Sequence, residues 1–348
     1  MKIYHLSHTD LDGYACQFIV NFYFKNVIFY NSNYGKEIND NFSNIIKDIQ
    51  DTRKENEKIL LLITDLNLTL SQCKEFDEVC KEKDIKILLL DHHQSGLECM
   101  QKYSWYFLDS SRCAAKIVYD FFSKICFNDQ KMEDFINIVN AVDIWLSKDK
   151  DFELGKVCLG LIANAKEINR VMFKKEHTSY MFYLLDRAKT FIQKERSYIL
   201  LDNALHFIKK DYFTKEYDDT LANLVSKFIV EKLQNHKEDF TIFYENHKGL
   251  LTSNIGNTSI IGNEFLINNL DYDFFLDISS KKTLSIRANG NLDVSLMAKK
   301  LVGGGGHKNA SGGLFANFKD STNYNYIKAQ FIDLIKSKAI KKEENVQK

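Results

Sequence analysis

Four short stretches carry the side chains with the most chemical potential. "SHTDLDG" supplies His8, Asp10 and Asp12, "ITDLN" supplies Asp65, "LLLDHH" supplies Asp91, His92 and His93, and "NAVDIW" sets Asp143 among apolar residues. Each has an ordinary reading. An aspartate after a strand is commonly a turn former or a helix N-cap. Asp10 or Asp12 could cap the helix-like run "YACQFIVNFYF", and Asp65 could cap "LTLSQCKEF". Asp143 resists that account, because a charge in the middle of an apolar helix is costly unless it is paired or coordinated.

Gathered in one crevice, such carboxylates would repel one another by several kcal/mol at an effective dielectric of about 20. Protons or cations must offset that repulsion. Carboxylates mixed with imidazoles form a donor set suited to divalent transition metals such as Mn2+, more than to Ca2+ or Mg2+ alone. A two-metal cluster accommodates the whole set. The cysteines (Cys16, Cys73, Cys80, Cys99, Cys113, Cys126 and Cys158) never form C-x-x-C and are read as reduced, core-filling thiols without a metal or disulfide role.

The elements that must position these groups follow from the apolar pattern. "KIYHLS", "NVIFY", "KILLLIT", "IKILLL" and "WYFL" are short apolar or β-branched runs separated by stretches of helical spacing. That alternation predicts parallel strands joined by crossover helices. The candidate residues fall at strand exits, and the carboxyl ends of neighbouring parallel strands form a ligand crevice. His5 lies inside the first strand and is read as structural. "SRCAAKIVYDFFSKI" and "MEDFINIVNAVDIWLSK" predict two amphipathic helices, and the charge-laced pattern at 159–238 predicts a helical connection. Residues 239–338 repeat an alternation that predicts antiparallel strands with two helices in a smaller α/β domain. The polar residues 339–348 predict a tail.

Length and composition set limits. At 348 residues the chain exceeds the comfortable size of one hydrophobic core, so two domains are expected, with 1–158 as the first. Lysine plus arginine equals aspartate plus glutamate at 47 each, which speaks against a protein living on long duplex nucleic acid. The first residues lack a signal-peptide pattern and no apolar run approaches the roughly 20 residues that span a bilayer. A cytoplasmic location without membrane attachment is expected.

A second unusual stretch is "LVGGGGHKNASGG", with six of the chain's 15 glycines. Consecutive glycines let a backbone approach a ligand and offer N–H donors to phosphate; a flexible hinge is the alternative. His307 and Lys308 inside the loop favour the ligand. Arg287, on a predicted strand just before it, could clamp a phosphate or could be a solvated strand arginine. Arg112 is a weaker candidate of the same kind.

Taken in order, these motifs resemble the DHH phosphoesterase superfamily, whose name comes from the triplet seen here as Asp91-His92-His93. "GGGGHKNASGG" resembles the glycine-histidine motif of the superfamily's DHH-associated C-terminal domain, and the resemblance covers nearly the whole chain. It implies an α/β architecture: an N-terminal doubly wound parallel-sheet domain, a helical connection, a smaller C-terminal domain and an active-site cleft between domains. Two ions are implied, usually Mn2+, with Mg2+ or Co2+ as substitutes. His8, Asp10 and Asp65 would hold one ion and Asp12, Asp65, His92 and Asp143 the other. Asp91 would orient His92, and His93 would face the scissile phosphate. Arg287, Gly303, Gly304, Gly305, Gly306, His307 and Lys308 would hold the substrate.

The spacing H-x-D-x-D-G is similar to that of the short-oligonucleotide exoribonuclease (nanoRNase, oligoribonuclease) branch. Many small-phosphodiester members place the histidine four residues before the first aspartate, where this chain has Leu6. The function this implies is hydrolysis of very short RNA to nucleoside monophosphates by attack of a metal-bridging hydroxide. The implied partner is a short single-stranded RNA or dinucleotide. Alternatives are a 3′-phosphoadenosine 5′-phosphate phosphatase, a cyclic or linearised dinucleotide phosphodiesterase, and, in a different class, a non-catalytic nucleotide-binding module. The helical connection leaves a homodimer open.

Overall fold

The structure is a computed structural model that describes the backbone of residues 1–346 and the side chains of residues 1–338. It divides into two compact units, Met1–Ala165 with Thr178–Ile208, and Lys166–His177 with the chain from Lys209 onward. The helical stretch 159–238 is therefore shared between the units and forms no third one.

In the first unit the chain runs β1 (Lys2–Ser7), α1 (Leu11–Tyr23), β2 (Val27–Asn31), α2 (Lys36–Thr52), β3 (Ile59–Thr64), α3 (Leu70–Glu82), β4 (Ile85–Asp91), α4 (Leu97–Lys102) and β5 (Tyr106–Leu108). Helices α5 (Ala114–Ile125), α6 (Gln130–Asp143) and α7 (Phe152–Ala163) follow. Then α8 (Lys174–Lys189) and α9 (Ser197–Phe213) each run from one unit into the other. The five strands are all parallel, in the order β2-β1-β3-β4-β5. The crossovers through α1 and α2 run in opposite directions along the sheet, so right-handed connections place those helices on opposite faces. Helix α2 shows why one face closes. Ile38, Phe42, Ile45, Ile46 and Ile49 recur at helical spacing and are buried with Tyr4, Leu6, Leu61 and Ile63 of the strands. Phe42 stacks on Phe76 of α3 with centroids 3.7 Å apart.

Two local differences from the sequence reading concern the site. The helix predicted through Trp145 stops at Asp143, because Trp145 takes a left-handed φ of 56°. Leu146 N then donates to Ala141 O at 2.7 Å and Trp145 N to Val142 O at 3.3 Å, a Schellman ending in which glycine is the usual residue. Asp143 is thus a helix-terminal residue and not a mid-helix one. In the helix after β3 it is Thr69, not Asp65, that caps: Thr69 and Gln72 of α3 form a capping box.

The second unit contains α10 (Leu221–Asn235), α11 (Lys237–Phe240), β6 (Thr241–Tyr244), β7 (His247–Ser253), α12 (Thr258–Asn268), β8 (Phe274–Ile278) and β9 (Thr283–Ala288). It continues through α13 (Val294–Val302), β10 (Gly305–His307), β11 (Ala310–Leu314) and α14 (Tyr324–Val346). Its sheet has the order β10-β11-β9-β8-β7-β6. The predicted antiparallel pairing holds except at β7 and β8, which are parallel because the crossover helix α12 returns the chain to the same end. The polar tail expected at 339–348 continues α14 as far as Val346, and residues 347 and 348 lie outside the described residues. Among the described residues no helix is long and apolar enough to cross a membrane.

Candidate metal centre

Register brings the chemical groups of the first unit together. Ser7 lies opposite both Asn31 and Thr64, and Thr64 lies opposite Leu90, so β1, β2, β3 and β4 end at one level. His8 and Asp65 are the next residues of the adjacent strands β1 and β3. The winding reverses between those strands, which is where ligands bind in open α/β sheets. A hydrogen-bonded layer supports the exits from below: Ser7 Oγ bonds Thr64 Oγ1 at 2.7 Å, and His5 Nε2 bonds the same hydroxyl at 2.8 Å.

The motif "HTDLDG" folds as a strand exit turning into α1. Asp10 caps that helix, its Oδ1 accepting from Gly13 N at 3.0 Å, while its Oδ2 lies 2.8 Å from His8 Nδ1. The capping and site readings of Asp10 therefore hold together. Gly13 is required by packing, since a Cβ there would sit 2.4 Å from the His8 carbonyl oxygen. Asp12 is buried and reaches another helix: Oδ2 accepts from Ala114 N and Oδ1 from Ala115 N, both at 2.8 Å, at the N-terminus of α5.

Asp65 has a left-handed φ of 54°, a conformation aspartate tolerates better than most residues. From it the side chain meets both histidines, Oδ2 lying 3.7 Å from His8 Nδ1 and Oδ1 3.4 Å from His92 Nε2. The same His92 nitrogen lies 3.6 Å from Asp143 Oδ2 and 3.9 Å from Asp12 Oδ2. Asp143 ends α6, where the helix dipole disfavours a negative charge. His93 does not share these partners. Its Nδ1 bonds Asp91 Oδ1 at 2.6 Å, and Tyr106 donates its hydroxyl to Asp91 Oδ2 at 3.0 Å. The expectation that Asp91 orients His92 is thereby corrected: the strand geometry points Asp91 at His93.

The electrostatics follow from crowding. Burial, and then the neighbouring carboxylates, push Asp12 and Asp143 up to about 7 and Asp65 well above the carboxylate range. Burial opposes charge on His8, but Asp10 and Asp65 outweigh it and hold that imidazole protonated up to about 10. On His93 burial likewise opposes the charged form and Asp91 prevails, raising the ring above its ordinary value.

These residues fit divalent cations on two grounds. Asp65 Oδ2 and His8 Nδ1 are buried without a hydrogen bond of acceptable geometry, the 2.8 Å approach of His8 to Asp10 notwithstanding. Such orphaned atoms are uncommon unless something else binds them. The donors also cluster: His8–Asp10–Asp65, Asp65–His92–His93 and Asp12–Cys113–Asp143 each bring their ligand atoms within 4.8 Å of one another. Asp65 belongs to two of these groups.

Sequence reasoning passed over Tyr34, Tyr106 and Cys113. Tyr34 follows β2, its hydroxyl lies 3.0 Å from His93 Nε2, and its ring packs on His8 with centroids 4.7 Å apart. Searching the exit of β2 as well as those of β1, β3 and β4 would have found it. Arg112 is committed to ion pairs with Asp109 and Asp120.

The remaining candidates belong to the second unit. Arg287 lies opposite Ala310 on neighbouring strands, and it donates to Ser259 Oγ at 2.7 Å and to its neighbour's carbonyl, Ile286 O, at 2.8 Å. The glycine stretch is a hairpin following the C-terminus of α13, and the first residue of that helix, Val294, donates its N–H to Lys308 O in the hairpin at 2.9 Å. Gly304 is needed for packing, a Cβ there falling 2.1 Å from Gly312 O. Gly305 has open space around its Cβ position, and His307 and Lys308 are exposed. These three lie on or beside β10, which is an edge of the sheet.

No protein-family model matches the sequence. Individual proteins do. A 3′,5′-cyclic-nucleotide phosphodiesterase of Helicobacter pylori is 40% identical over 345 residues, covering 96% of this chain and 99% of the relative. Oligoribonuclease NrnB of Bacillus subtilis is 24% identical over 325 residues, covering 89% and 72%. Among solved structures, that of an uncharacterized protein from Helicobacter pylori G27 superposes with a TM-score of 0.85 at 38% identity, over 97% of this chain and 99% of the other. With its strand-exit motifs assembled around Asp65 and nearly its full length shared with such a relative, the chain belongs to the DHH phosphoesterase superfamily.

Proposed function

We propose that this chain is a divalent-metal-dependent phosphodiesterase of small nucleotides, with 3′,5′-cyclic nucleotides as the first substrate class and very short RNA as the second. The observation that carries the chemistry is the buried carboxylate–imidazole cluster around Asp65 with its unpartnered oxygen. The 40% identity with a cyclic-nucleotide phosphodiesterase supports the first substrate class, and the likeness to an oligoribonuclease supports the second. Both substrates present a phosphodiester whose cleavage expels a ribose oxygen.

His8, Asp10 and Asp65 would hold one cation, and Asp12, Asp65, His92 and Asp143 a second, Mn2+ being the ion proposed. Bound there, the cations supply a nucleophile from water near neutral pH and take up charge on the phosphoryl oxygens. The protein's own part is orientation. Asp91 accepts from His93 Nδ1–H, which turns Nε2 outward to Tyr34. Protonated at both nitrogens, His93 can donate to a phosphoryl oxygen or to the departing ribose oxygen. In the second unit, the open position at Gly305, the outer backbone donors of β10, His307, Lys308 and Arg287 are suited to a base or a terminal phosphate.

The test is a substrate panel with Mn2+ and Mg2+: 3′,5′-cyclic AMP and GMP, oligoribonucleotides of two to five units, a long oligonucleotide, and 3′-phosphoadenosine 5′-phosphate. Nucleoside 5′-monophosphates from the cyclic nucleotides or the shortest oligomers are expected, with the long oligomer slow. Equal cleavage of the long oligomer would overturn the size class. An Asp65→Ala variant as active as wild type would overturn the metal site.

A further inference from the structure

One thiol occupies a place that core filling does not explain. Cys113 is fully buried, and it is the N-cap of α5 yet makes no side-chain capping hydrogen bond. Serine, threonine, aspartate or asparagine normally serves there. Its Sγ lies within 4.8 Å of a carboxylate oxygen of Asp12 and one of Asp143. His92 Nε2 faces the same two carboxylates at 3.9 and 3.6 Å and joins them to Asp65. Asp65, which His92 links to this group through Oδ1, is 2% exposed, and its other oxygen, Oδ2, on the His8 side, is buried without a hydrogen bond of acceptable geometry. The sulfur, beside the Asp12 carboxylate to which it hydrogen-bonds, thus adjoins the centre that holds the ligand-deficient atom.

We propose that Cys113 Sγ is a metal donor, which makes the Asp12–Asp143–His92 half of the centre a mixed oxygen, nitrogen and sulfur site. Sulfur donors favour softer ions, so this half discriminates toward Co2+, Zn2+ or Fe2+ against Mg2+. Coordination forms a metal–sulfur bond in place of the S–H bond, and the displaced proton leaves to solvent. The inference deepens the proposed function and rests on its reading of the cluster as a metal centre, though on neither substrate class.

The test is titration of the metal-stripped full chain with Co2+ under anaerobic conditions. A thiolate-to-cobalt charge-transfer band is expected in the near-ultraviolet, saturating with the bound ion. Cys113→Ser, which leaves a good helix cap, should abolish it. Cys126→Ser, which removes the exposed thiol, should leave it unchanged. By calorimetry, Cys113→Ser should weaken Co2+ binding by about 10-fold or more and Mg2+ binding by less than about threefold. A wild type that binds Co2+ without the band, or a band that survives in Cys113→Ser, overturns the proposal. If the band is absent while Mn2+ still supports hydrolysis, the role of Cys113 fails alone. If no cation binds, the proposed function fails with it.

Discussion

His93 Nδ1 lies 2.6 Å from Asp91 Oδ1, while the adjacent His92 turns its Nε2 toward Asp12, Asp65 and Asp143. Two consecutive imidazoles thus have separate partners, and their substitutions should differ in kind.

His93→Ala should lower kcat by about 100-fold or more with little change in metal affinity, as expected for loss of a positioned proton donor. His92→Ala should weaken metal binding first. Steady-state kinetics at saturating metal, paired with calorimetric metal titration, separates the two. Equal weakening of metal binding in both variants would contradict the division.

Metal binding should strengthen as pH rises through neutrality. Asp12 and Asp143 are pushed up to about 7 and Asp65 well above the carboxylate range, so the metal-free cluster retains protons that a cation must displace. Each displaced proton contributes roughly a tenfold gain in affinity per pH unit below the relevant pKa. Calorimetry in buffers of different ionisation enthalpy at pH 6.5 should register proton release on Mn2+ binding. Affinity that is flat between pH 6 and 8 would refute this.

Asp65→Asn should raise stability in the presence of chelator while losing the stabilisation that Mn2+ gives the wild type. The substitution removes one buried negative charge from a crowded group and keeps a side chain that tolerates the left-handed backbone. At pH 8 a gain of about 1 kcal/mol corresponds to about 2–4 °C in Tm. Melting with and without Mn2+ reads both effects, and a lower Tm in chelator would count against the crowding account.

The second unit offers a pH test of its own. Burial pushes Asp277 up to about 6, against the hydrogen bonds it accepts from Thr252 Oγ1 and Ile255 N. Between the unfolded pKa near 4 and the folded value the native state holds the extra proton, so stability falls as pH rises through that window and then levels off. Asp277→Asn keeps the accepting oxygen and should stabilise by on the order of 1–2 kcal/mol at pH 8, with the gain vanishing near pH 4. Urea unfolding at the two pH values measures it; a gain equal at both would rule out the charge as the cause.

Much of the architecture was legible because the signals for it are local. Strands buried on both faces must be nearly all apolar, so "KILLLIT" and "IKILLL" announce themselves, and polar groups at their exits stand out against that background. The end of α6 was illegible for an equally local reason: Trp145 occupies a left-handed position where glycine would have signalled the stop. Crossover helix α12 was recognised as a helix, but the direction of the strand after it depends on pairing between distant residues.

Residue types and short spacings determined that His8, Asp10, Asp12, Asp65, His92 and Asp143 could form a metal centre, since capping, strand exits and donor chemistry are properties of neighbours in the chain. Tertiary structure alone decided which of them meet. The order β2-β1-β3-β4-β5 makes the exits of β1 and β3 adjacent, and that order is set by packing across the sheet. The same long-range pairing gave Asp12 to the start of α5, Tyr106 to Asp91 and Cys113 to the cluster. No local pattern could encode those choices, because each joins segments whose proximity exists only once the sheet and its helices have closed around a common core.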